Sequence, residues 1–307
     1  MSTTAIPGIH HVTAISGPAQ KNVDFYTGTL KQRLVKKTVN FDAPDTYHLY
    51  YGDRTGSPGT ILTFFPFGDA GPGRAGPGMA SAYAYAVPKG QFVGWMERLG
   101  DAAVDFTGIE ERFGQQYITL RDGDGAPVEL IETDRASDEV LDGFHSVTLW
   151  ERDIAPTARL LTEAFGYKDA GSETVGGTER LRLIAPGTER GNIIDLIRTD
   201  APAIGRPGAG TIHHVAFRAR SNEEQIEWQE RLAGFGHRTT PVIDRQYFNA
   251  IYFREPGGVL FEIATDPPGF AVDEPVETLG QALKLPAQYE SIRDRLTRVL
   301  PPLKVAS

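Results

Sequence analysis

The sequence predicts an α+β fold in which four βαβββ modules pair into two curved half-barrel domains, with a helix near the C-terminus. Three observations support this prediction. The chain repeats itself at two different offsets, and within each repeat the spacing of apolar residues changes from the period of a strand to that of a helix and back. Single modules of this size could not bury the apolar faces of their own sheets, so they are expected to pair.

The first repeat relates residues that lie 133 positions apart. Segment 228–232 (WQERL) aligns with segment 95–99 (WMERL), and the same offset aligns segment 254–262 (REPGGVLFE) with segment 121–129 (RDGDGAPVE). Two separate matches at one offset indicate a duplicated structural unit rather than chance similarity.

The second repeat has an offset of 135 residues and relates the first module to the third. It aligns Val12 and Thr13 with Val147 and Thr148. Stretches rich in Gly, Pro and Asp, which are typical of loops, separate the aligned units. The predicted modules span residues 8–66, 80–133, 143–199 and 211–266, and a tail covers residues 267–307.

Each module is predicted to run from a strand through a helix to three further strands. The predicted first strands include 9–15 and 212–217, and the predicted helices include 23–30 and 224–232. Later β-rich runs predict strands at 48–51, 61–65, 250–253 and 259–263. In the tail, Tyr289, Ile292, Leu296 and Val299 are spaced for one face of a helix, which is expected to dock on the body of the protein.

The composition excludes several classes of protein. The 307 residues carry a net charge of −9, and no cluster of Lys and Arg interleaved with aromatic residues is present, which argues against a nucleic-acid partner. No segment has the apolar run that a membrane span or a secretion signal needs, so a cytoplasmic location is predicted. Because the chain has no cysteine, a metal would have to bind to His, Asp, Glu or Tyr. A homo-oligomer is expected, since pairing between chains is common for this fold.

Four of the seven histidines form two doublets, His10-His11 and His213-His214. Each doublet begins the first strand of a module and precedes a valine. Successive side chains on a strand point to opposite faces of a sheet, so one histidine of each doublet is expected to face the inside of a half-barrel.

The repeat indicates which histidine of each doublet faces inward. Alignment of the modules on the valine makes His11 equivalent to His214. The same position is predicted to hold Ser81 in module 2 and Ser146 in module 3, while His145 corresponds to the first histidine of a doublet.

A third candidate ligand, Glu262, lies on the predicted last strand of module 4. The equivalent positions of the other three modules hold Thr63, Glu129 and Asp195. Modules 1 and 4 therefore offer His11, His214 and Glu262, and two histidines with one carboxylate are the usual ligands of non-haem Fe(II), with positions left open for substrate and O2. For any one of these residues alone, a hydrogen-bonded core residue or a solvated strand end is the favoured interpretation. Their coincidence at equivalent positions favours a metal site.

Four segments, PGIHHVTAI, FYTGTL, TIHHVAF and EPGGVLFEI, resemble the vicinal-oxygen-chelate superfamily. Within it they are similar to ring-cleaving dioxygenases of the hydroquinone 1,2-dioxygenase type. The resemblance covers nearly the whole chain and implies that His11, His214 and Glu262 bind Fe(II), which opens a dihydroxylated aromatic ring with O2. Mn(II) is compatible with the same ligands.

The resemblance also implies a substrate pocket that contains His10, Thr13, His213, Arg245 and Tyr252. Thr13, Arg245 and Tyr252 are expected to contact the substrate. Either His10 or His213 is expected to act as the acid–base residue. Tyr252 is expected to donate a hydrogen bond to a substrate oxygen, and Arg245 to stabilise negative charge.

Two other functions are compatible with the same fold. A glyoxalase-like lyase or isomerase would bind Zn or Ni through four protein ligands, but Thr63 stands in the fourth place and a hydroxyl is a poor ligand for these ions. A non-catalytic small-molecule-binding protein would have no need of two converging histidines and a glutamate. The choice between a hydroquinone and a catechol depends on loops, so the identity of the aromatic ring stays open at this point.

Overall fold

The computed structural model describes residues 5–135, 137, 140–199 and 203–305, which form two eight-stranded sheets. Modules 1 and 4 build one sheet, and modules 2 and 3 build the other. In each sheet the first strands of the two modules pair antiparallel at the centre and thereby join the modules. The predicted α+β fold of paired half-barrels is confirmed.

The sixteen strands are numbered along the chain. Modules 1 and 2 contribute β1 (Ile9–Ser16), β2 (Arg33–Val39), β3 (Tyr47–Gly52), β4 (Ile61–Pro66), β5 (Met79–Pro88), β6 (Glu110–Arg112), β7 (Gln115–Arg121) and β8 (Pro127–Thr133). Modules 3 and 4 contribute β9 (Phe144–Trp150), β10 (Lys168–Val175), β11 (Thr178–Ile184), β12 (Ile193–Thr199), β13 (Thr211–Ala219), β14 (Ile243–Asp244), β15 (Phe248–Arg254) and β16 (Leu260–Pro268).

The strand order is the same in both sheets once the modules are matched. The first sheet runs β14-β15-β16-β13-β1-β4-β3-β2, and the second runs β10-β11-β12-β9-β5-β8-β7-β6. Within a module the first strand is parallel to the last, as β1 is to β4, and the other neighbours are antiparallel. Every module therefore places its first and last strands side by side near the centre of a half-barrel, where the candidate ligands lie.

One helix in each module packs against its sheet, and short helices follow in the tail. They are α1 (Ala19–Val23) with a π-helical turn (Asp24–Thr29), α2 (Phe92–Asp101), α3 (Ile154–Arg159) with a π-helical turn (Leu160–Ala164), α4 (Asn222–Gly234), two 3-10 turns (Phe270–Val272 and Val276–Thr278), α5 (Ala287–Glu290) and α6 (Arg293–Val299). Trp95 and Leu99 of α2 and Trp228 and Leu232 of α4 are buried, which explains the repeated WxERL segment. Within the described ranges, no helix has the length and apolar character that a membrane crossing requires.

The tail docks on module 1, although as two short helices rather than the single predicted one. The predicted apolar face is correct for Leu296, which is buried, and wrong for Val299, which is 53% exposed because α6 ends there. The Tyr289 hydroxyl donates a hydrogen bond of 2.6 Å to the carbonyl of Phe41, and the Tyr47 hydroxyl donates to the tail at 3.0 Å. The tail thus holds the loop between β2 and β3.

Glu151 of the second half-barrel and Glu255 of the first are two buried carboxylates that lie close to each other between the half-barrels. Glu151 follows β9, its side chain is buried, and neither of its carboxylate oxygens has a hydrogen-bond partner within the described part of the chain. Glu255, in the turn between β15 and β16, accepts hydrogen bonds from Thr157 and from the Gly257 amide. Burial, followed by the charge of Glu255, raises the pKa of Glu151 to about 8. A Cβ atom on Gly257 would overlap the Glu151 carboxylate, so this turn requires glycine.

Glu151→Gln is expected to stabilise the protein relative to the wild type more at pH 9 than at pH 6. The folded-state pKa of Glu151 lies above the unfolded value of about 4.3. The protonated Glu151 therefore contributes to the free energy of unfolding fully below a pH of about 4.3, and this contribution is lost as the pH rises through about 8. The glutamine cannot ionise and avoids this loss. Melting temperatures measured at both pH values test the prediction. The exposed Glu97→Gln change removes the same charge as a control, and an equal shift for both variants would contradict the assignment.

Candidate metal centre

Three buried side chains of modules 1 and 4 converge at the centre of the first sheet. β1 and β13 pair about Val12 and Val215, which places His11 and His214 on either side of this point. β16 lies beside β13 and carries Glu262 next to them. The two imidazole Nε2 atoms are 3.3 Å apart, and Glu262 Oε2 lies 3.4 Å from His11 Nε2 and 2.8 Å from His214 Nε2.

These distances fit a metal ion. Atoms bound about 2.0–2.1 Å from one ion at angles of about 90–110° lie about 2.8–3.4 Å from each other. Glu262 is fully buried, and within the described residues its carboxylate forms no well-aligned hydrogen bond, although Oε2 lies beside both imidazoles. A buried carboxylate in this position is costly unless a cation satisfies it. Burial alone would raise the pKa of Glu262, but the neighbouring His11 and His214 hold it below its usual range. The predicted ligand set is therefore brought together in a geometry that suits a metal.

β-Bulges orient the two ligand imidazoles. The register of the β1–β13 pair shifts at His10 in β1 and at His213 in β13, so each doublet begins with a bulge residue. His10 Nδ1 lies 2.9 Å from His11 Nδ1, and His213 Nδ1 lies 2.8 Å from His214 Nδ1. The first histidine of each doublet thus hydrogen-bonds to Nδ1 of the second, so that Nε2 of the second stays available to bind a metal.

The expectation that one histidine of each doublet faces the inside is wrong for the second doublet. Both His213 and His214 line the central cavity, whereas His11 lines it and His10 does not. The bulge at His213 re-aims that side chain, so strict alternation fails there. Burial, followed by the charge of His214, lowers the pKa of His213 to about 4.

The sheet register also corrects one predicted equivalence. The strand pairs His11–Ala216 and Thr13–His214 of the first sheet correspond to Ala82–Thr148 and Ala84–Ser146 of the second. Ala82, not Ser81, therefore occupies the position of His11 in module 2. Ser81 is the bulge residue of β5, equivalent to the first histidine of a doublet, while Ser146 is placed as predicted. The one-residue error arose because the offset of 133 holds for the helices and last strands but becomes 132 for the first strands: His214 precedes Trp228 by 14 residues, whereas Ala82 precedes Trp95 by 13.

Arginines occupy the equivalent region of the second half-barrel. Arg112 makes a two-point contact with Glu129 at 3.0 and 2.6 Å, and Arg182 makes one with Asp195 at 2.9 Å for both bonds. Arg180 also donates to Asp195 at 3.1 Å. Because guanidinium groups neutralise both carboxylates, the described residues of this half-barrel offer no comparable metal ligands.

An aromatic-lined cavity of about 640 Å³ opens over the three candidate ligands. Its wall includes four apolar rings, those of Phe41, Phe65, Phe67 and Phe248. The loop held by the tail contributes Phe41. A cavity of this size, with apolar rings around a few convergent polar groups, suits a small aromatic molecule.

The predicted pocket residues Thr13, Arg245 and Tyr252 line this cavity as well. Tyr252 on β15 faces Glu262 on β16, and Arg245 Nε donates to the Tyr252 hydroxyl at 3.2 Å. Arg245 Nη1 donates to Asp42 at 3.2 Å, so an ion pair lies at the cavity wall. Burial and then the charge of Glu262 raise the pKa of Tyr252 well above its usual value, so its hydroxyl keeps its proton as a donor.

Among the cavity residues that sequence reasoning missed are His48 and Tyr50 of β3. Tyr50 faces Thr63 across β3 and β4, as Tyr252 faces Glu262 in module 4. His48 lies two residues before Tyr50, on the same face of the strand, and also lines the cavity. An alignment at one offset would not have found them, because the turn before the last strand is longer in module 1: Tyr50 precedes Thr63 by 13 residues, whereas Tyr252 precedes Glu262 by 10.

A family model described as "Glyoxalase/Bleomycin resistance protein/Dioxygenase superfamily" matches residues 8–130 and 143–263 of the chain. The chain belongs to this superfamily. Among superfamily proteins it is 47% identical to "Putative ring-cleaving dioxygenase MhqO" of Bacillus subtilis over 97% of each chain. It is 35% identical to "Chlorohydroquinone/hydroquinone 1,2-dioxygenase" of Sphingobium indicum over 96% of each chain.

A solved structure shows how closely the fold follows that of a superfamily member. The crystal structure of a "putative dioxygenase" from Bacillus subtilis is 45% identical, covers 99% of both chains and superposes with a TM-score of 0.92. The family resemblance inferred from the doublets and from the EPGGVLFEI segment is confirmed.

Proposed function

We propose that this protein is a ring-cleaving dioxygenase that uses Fe(II), held by His11, His214 and Glu262, to open a dihydroxylated aromatic ring of the hydroquinone type with O2. The convergence of two imidazoles and one buried carboxylate under an aromatic-lined cavity is the observation that carries the proposal. The names of the relatives in Bacillus subtilis and Sphingobium indicum support it. When bound, Fe(II) would supply adjacent open positions for the substrate oxygen and O2.

The fourth position of the candidate site favours oxygen chemistry over a four-ligand lyase. Thr63 stands where a fourth ligand would be, and its hydroxyl is engaged with Thr13 at 2.9 Å and with His48 at 2.8 Å. A hydroxyl that is held in this way and is a weak ligand leaves three protein ligands and an open site.

Side chains of the cavity would orient the substrate and move its protons. Tyr252 would donate a hydrogen bond to a substrate oxygen, and Arg245, which holds the Tyr252 hydroxyl, would stabilise negative charge. His213 would be the acid–base residue because it lines the cavity, whereas His10 lies behind His11 and would keep that ligand oriented. Thr13 would contact the substrate from β1.

Metal analysis and oxygen uptake together test the proposed function. Protein purified without oxygen is expected to contain iron, and Fe(II)-loaded protein is expected to consume O2 with a hydroquinone and to yield a ring-opened product that contains both atoms of ¹⁸O2. Oxygen uptake with catechols but not with hydroquinones would instead identify catechols as the substrate class. Zinc or nickel without oxygen uptake would instead support a glyoxalase-like lyase or isomerase, and a metal-free protein that binds aromatics would support a binding role.

Tyr252→Phe is expected to lower kcat by about 100-fold while the iron content stays unchanged. The variant loses one hydrogen-bond donor to the reacting oxygen, and removal of one such donor typically costs about 10²–10³ in rate. Tyr117→Phe, which removes a hydroxyl bonded to Glu110 in the second half-barrel, is the control. Loss of iron from Tyr252→Phe, or an unchanged kcat, would contradict the assigned role.

A small aromatic substrate, a homo-oligomeric state and a cytoplasmic location stay predictions, as does the compatibility of the site with Mn(II).

A further inference from the structure

Four side chains of module 1 form a continuous hydrogen-bonded chain beside the candidate metal centre. The Tyr50 hydroxyl lies 2.8 Å from His48 Nδ1, and His48 Nε2 lies 2.8 Å from Thr63 Oγ1. Thr63 Oγ1 in turn lies 2.9 Å from Thr13 Oγ1. Tyr50, His48 and Thr13 all belong to the cavity lining, and Thr13, Thr63 and Tyr50 are buried. The chain therefore connects two points on the cavity wall through one imidazole.

The acid and base strengths of the four side chains determine which group donates and which accepts in each hydrogen bond of this series. A neutral imidazole has one donor and one acceptor nitrogen, so His48 must accept at one end and donate at the other. A phenol is a stronger acid than a neutral imidazole N–H, and an imidazole nitrogen is a stronger acceptor than a phenol oxygen. Tyr50 therefore donates to Nδ1 of His48, and Nε2–H of His48 donates to Thr63. Thr63 then donates to Thr13.

Thr13 is left with a hydrogen that it can donate into the cavity. Within the described residues, the Thr63 hydroxyl is the side-chain partner that the structure gives for Thr13 Oγ1. Burial, followed by the charges of His11 and His214, holds the pKa of His48 well below its usual range, which keeps the ring neutral. Each donor in such a chain polarises the next, so the terminal hydroxyl becomes a better donor than an isolated threonine.

We propose that His48 is a positioning residue that sets the direction of this chain, so that Thr13 donates a hydrogen bond to the negatively charged oxygen of a phenolate bound in the cavity. The inference rests on the proposed function for the kind of ligand. It also explains why a threonine stands in the fourth position. The Thr63 hydroxyl accepts a hydrogen bond from His48 and donates one to Thr13 instead of binding a metal. Without the Nε2–H of His48, the Thr63 and Thr13 hydroxyls could rotate and present a lone pair to the ligand.

The tautomer of His48 can be read directly by ¹⁵N NMR of the imidazole nitrogens in metal-free protein. The expected result is a neutral ring with hydrogen on Nε2 at neutral pH. A ring with hydrogen on Nδ1, or a protonated ring, would overturn the proposal. This measurement uses neither iron nor turnover, so it stands apart from failure of the proposed dioxygenase activity, which would appear as absent iron or absent oxygen uptake.

Binding of 4-nitrophenol to Fe(II)-loaded protein without oxygen tests the donor at Thr13, because the colour of this probe reports its ionised form. His48→Phe keeps the ring that packs on Phe65 and Tyr50 but removes both nitrogens, and it is expected to bind the phenolate about tenfold more weakly. His48→Gln retains an amide donor within reach of Thr63 and is expected to restore binding to within about threefold. His237→Phe, outside the cavity lining, is the matched control.

A double-mutant comparison separates action through Thr63 from a general loss of structure. Thr63→Val interrupts the chain after His48 and is expected to weaken 4-nitrophenolate binding by the same factor of about ten. The double variant His48→Phe, Thr63→Val is expected to lose no more than either single variant, because both act on one chain. Additive losses, or a His48→Phe protein that binds as tightly as the wild type, would overturn the proposal.

Discussion

His11→Ala is expected to abolish stable iron binding and, with it, oxygen uptake. The variant keeps His214 and Glu262, which leaves two protein ligands where three converge within 4.8 Å of one another. Loss of a residue that only supports a ligand typically costs 10–100-fold in metal affinity, so loss of the ligand itself is expected to cost at least about 100-fold. Iron content after anaerobic dialysis and the rate of O2 consumption measure the effect.

His145→Ala is the matched control for this prediction. His145 is the bulge residue of β9 in the second half-barrel and hydrogen-bonds to Gln115 and Ser146, away from the candidate ligands. It is expected to retain iron and activity. His10→Ala should give an intermediate result, because His10 supports Nδ1 of His11 without being a ligand itself. An iron-replete, active His11→Ala protein would refute the ligand assignment.

The sequence predicted that the three candidate ligands converge because the repeat and the strand register share one centre. Alignment on Val12 and Val215 reproduces the point about which β1 and β13 pair, so the residues flanking these valines are related by the same symmetry in sequence and in space. Glu262 followed because the last strand of a module lies beside its first. The internal repeat therefore allowed us to predict which residues, although distant along the chain, lie next to each other in the sheet.

The errors have local causes that periodicity does not detect. Ser81 was assigned in place of Ala82 because the segment between the first strand and the helix is one residue shorter in module 2 than in module 4. Strand alternation allowed only one histidine of the second doublet to face the cavity, whereas the bulge at His213 turns both toward it, as the family resemblance had implied for His213. The helix predicted at 23–30 begins at Ala19 and changes to a π-helical turn at Asp24, which breaks the 3.6-residue spacing. His48 was missed because its role depends on the pairing of β3 with β4 and not on its neighbours in sequence.

Asp195→Asn is expected to lower the free energy of unfolding by about 3–5 kcal/mol, the usual cost of breaking a buried ion pair by removing one partner. Asp195 is fully buried and accepts hydrogen bonds from Arg182 and Arg180, and Arg112 Nε lies 3.9 Å from it. Within the described residues, the salt bridges of these three guanidinium groups include one further carboxylate, that of Glu129. The variant would therefore leave buried positive charge without compensation, which urea unfolding at neutral pH measures.

The pH dependence of this effect follows from the pKa of Asp195. Burial would raise that pKa, but the hydrogen bonds and charges of Arg182, Arg180 and Arg112 outweigh burial and hold it below the usual value. A depressed folded-state pKa gives stability that is present above the unfolded value of about 3.9 and is lost as the pH falls through the folded value. The difference between wild type and Asp195→Asn is therefore expected to shrink in acid.

Asp134→Asn provides the control for the loss of a carboxylate. Asp134 is 90% exposed and contacts Lys89 at 3.3 Å, and exposed pairs of this kind contribute about 0–1 kcal/mol. Folded Asp195→Asn protein is also expected to bind iron normally, because the ion-paired carboxylates belong to the half-barrel without metal ligands. An unfolding free energy within about 1 kcal/mol of the wild type would contradict the view that arginines replace a metal in this half-barrel. Loss of iron from the folded variant would show that the two half-barrels are coupled.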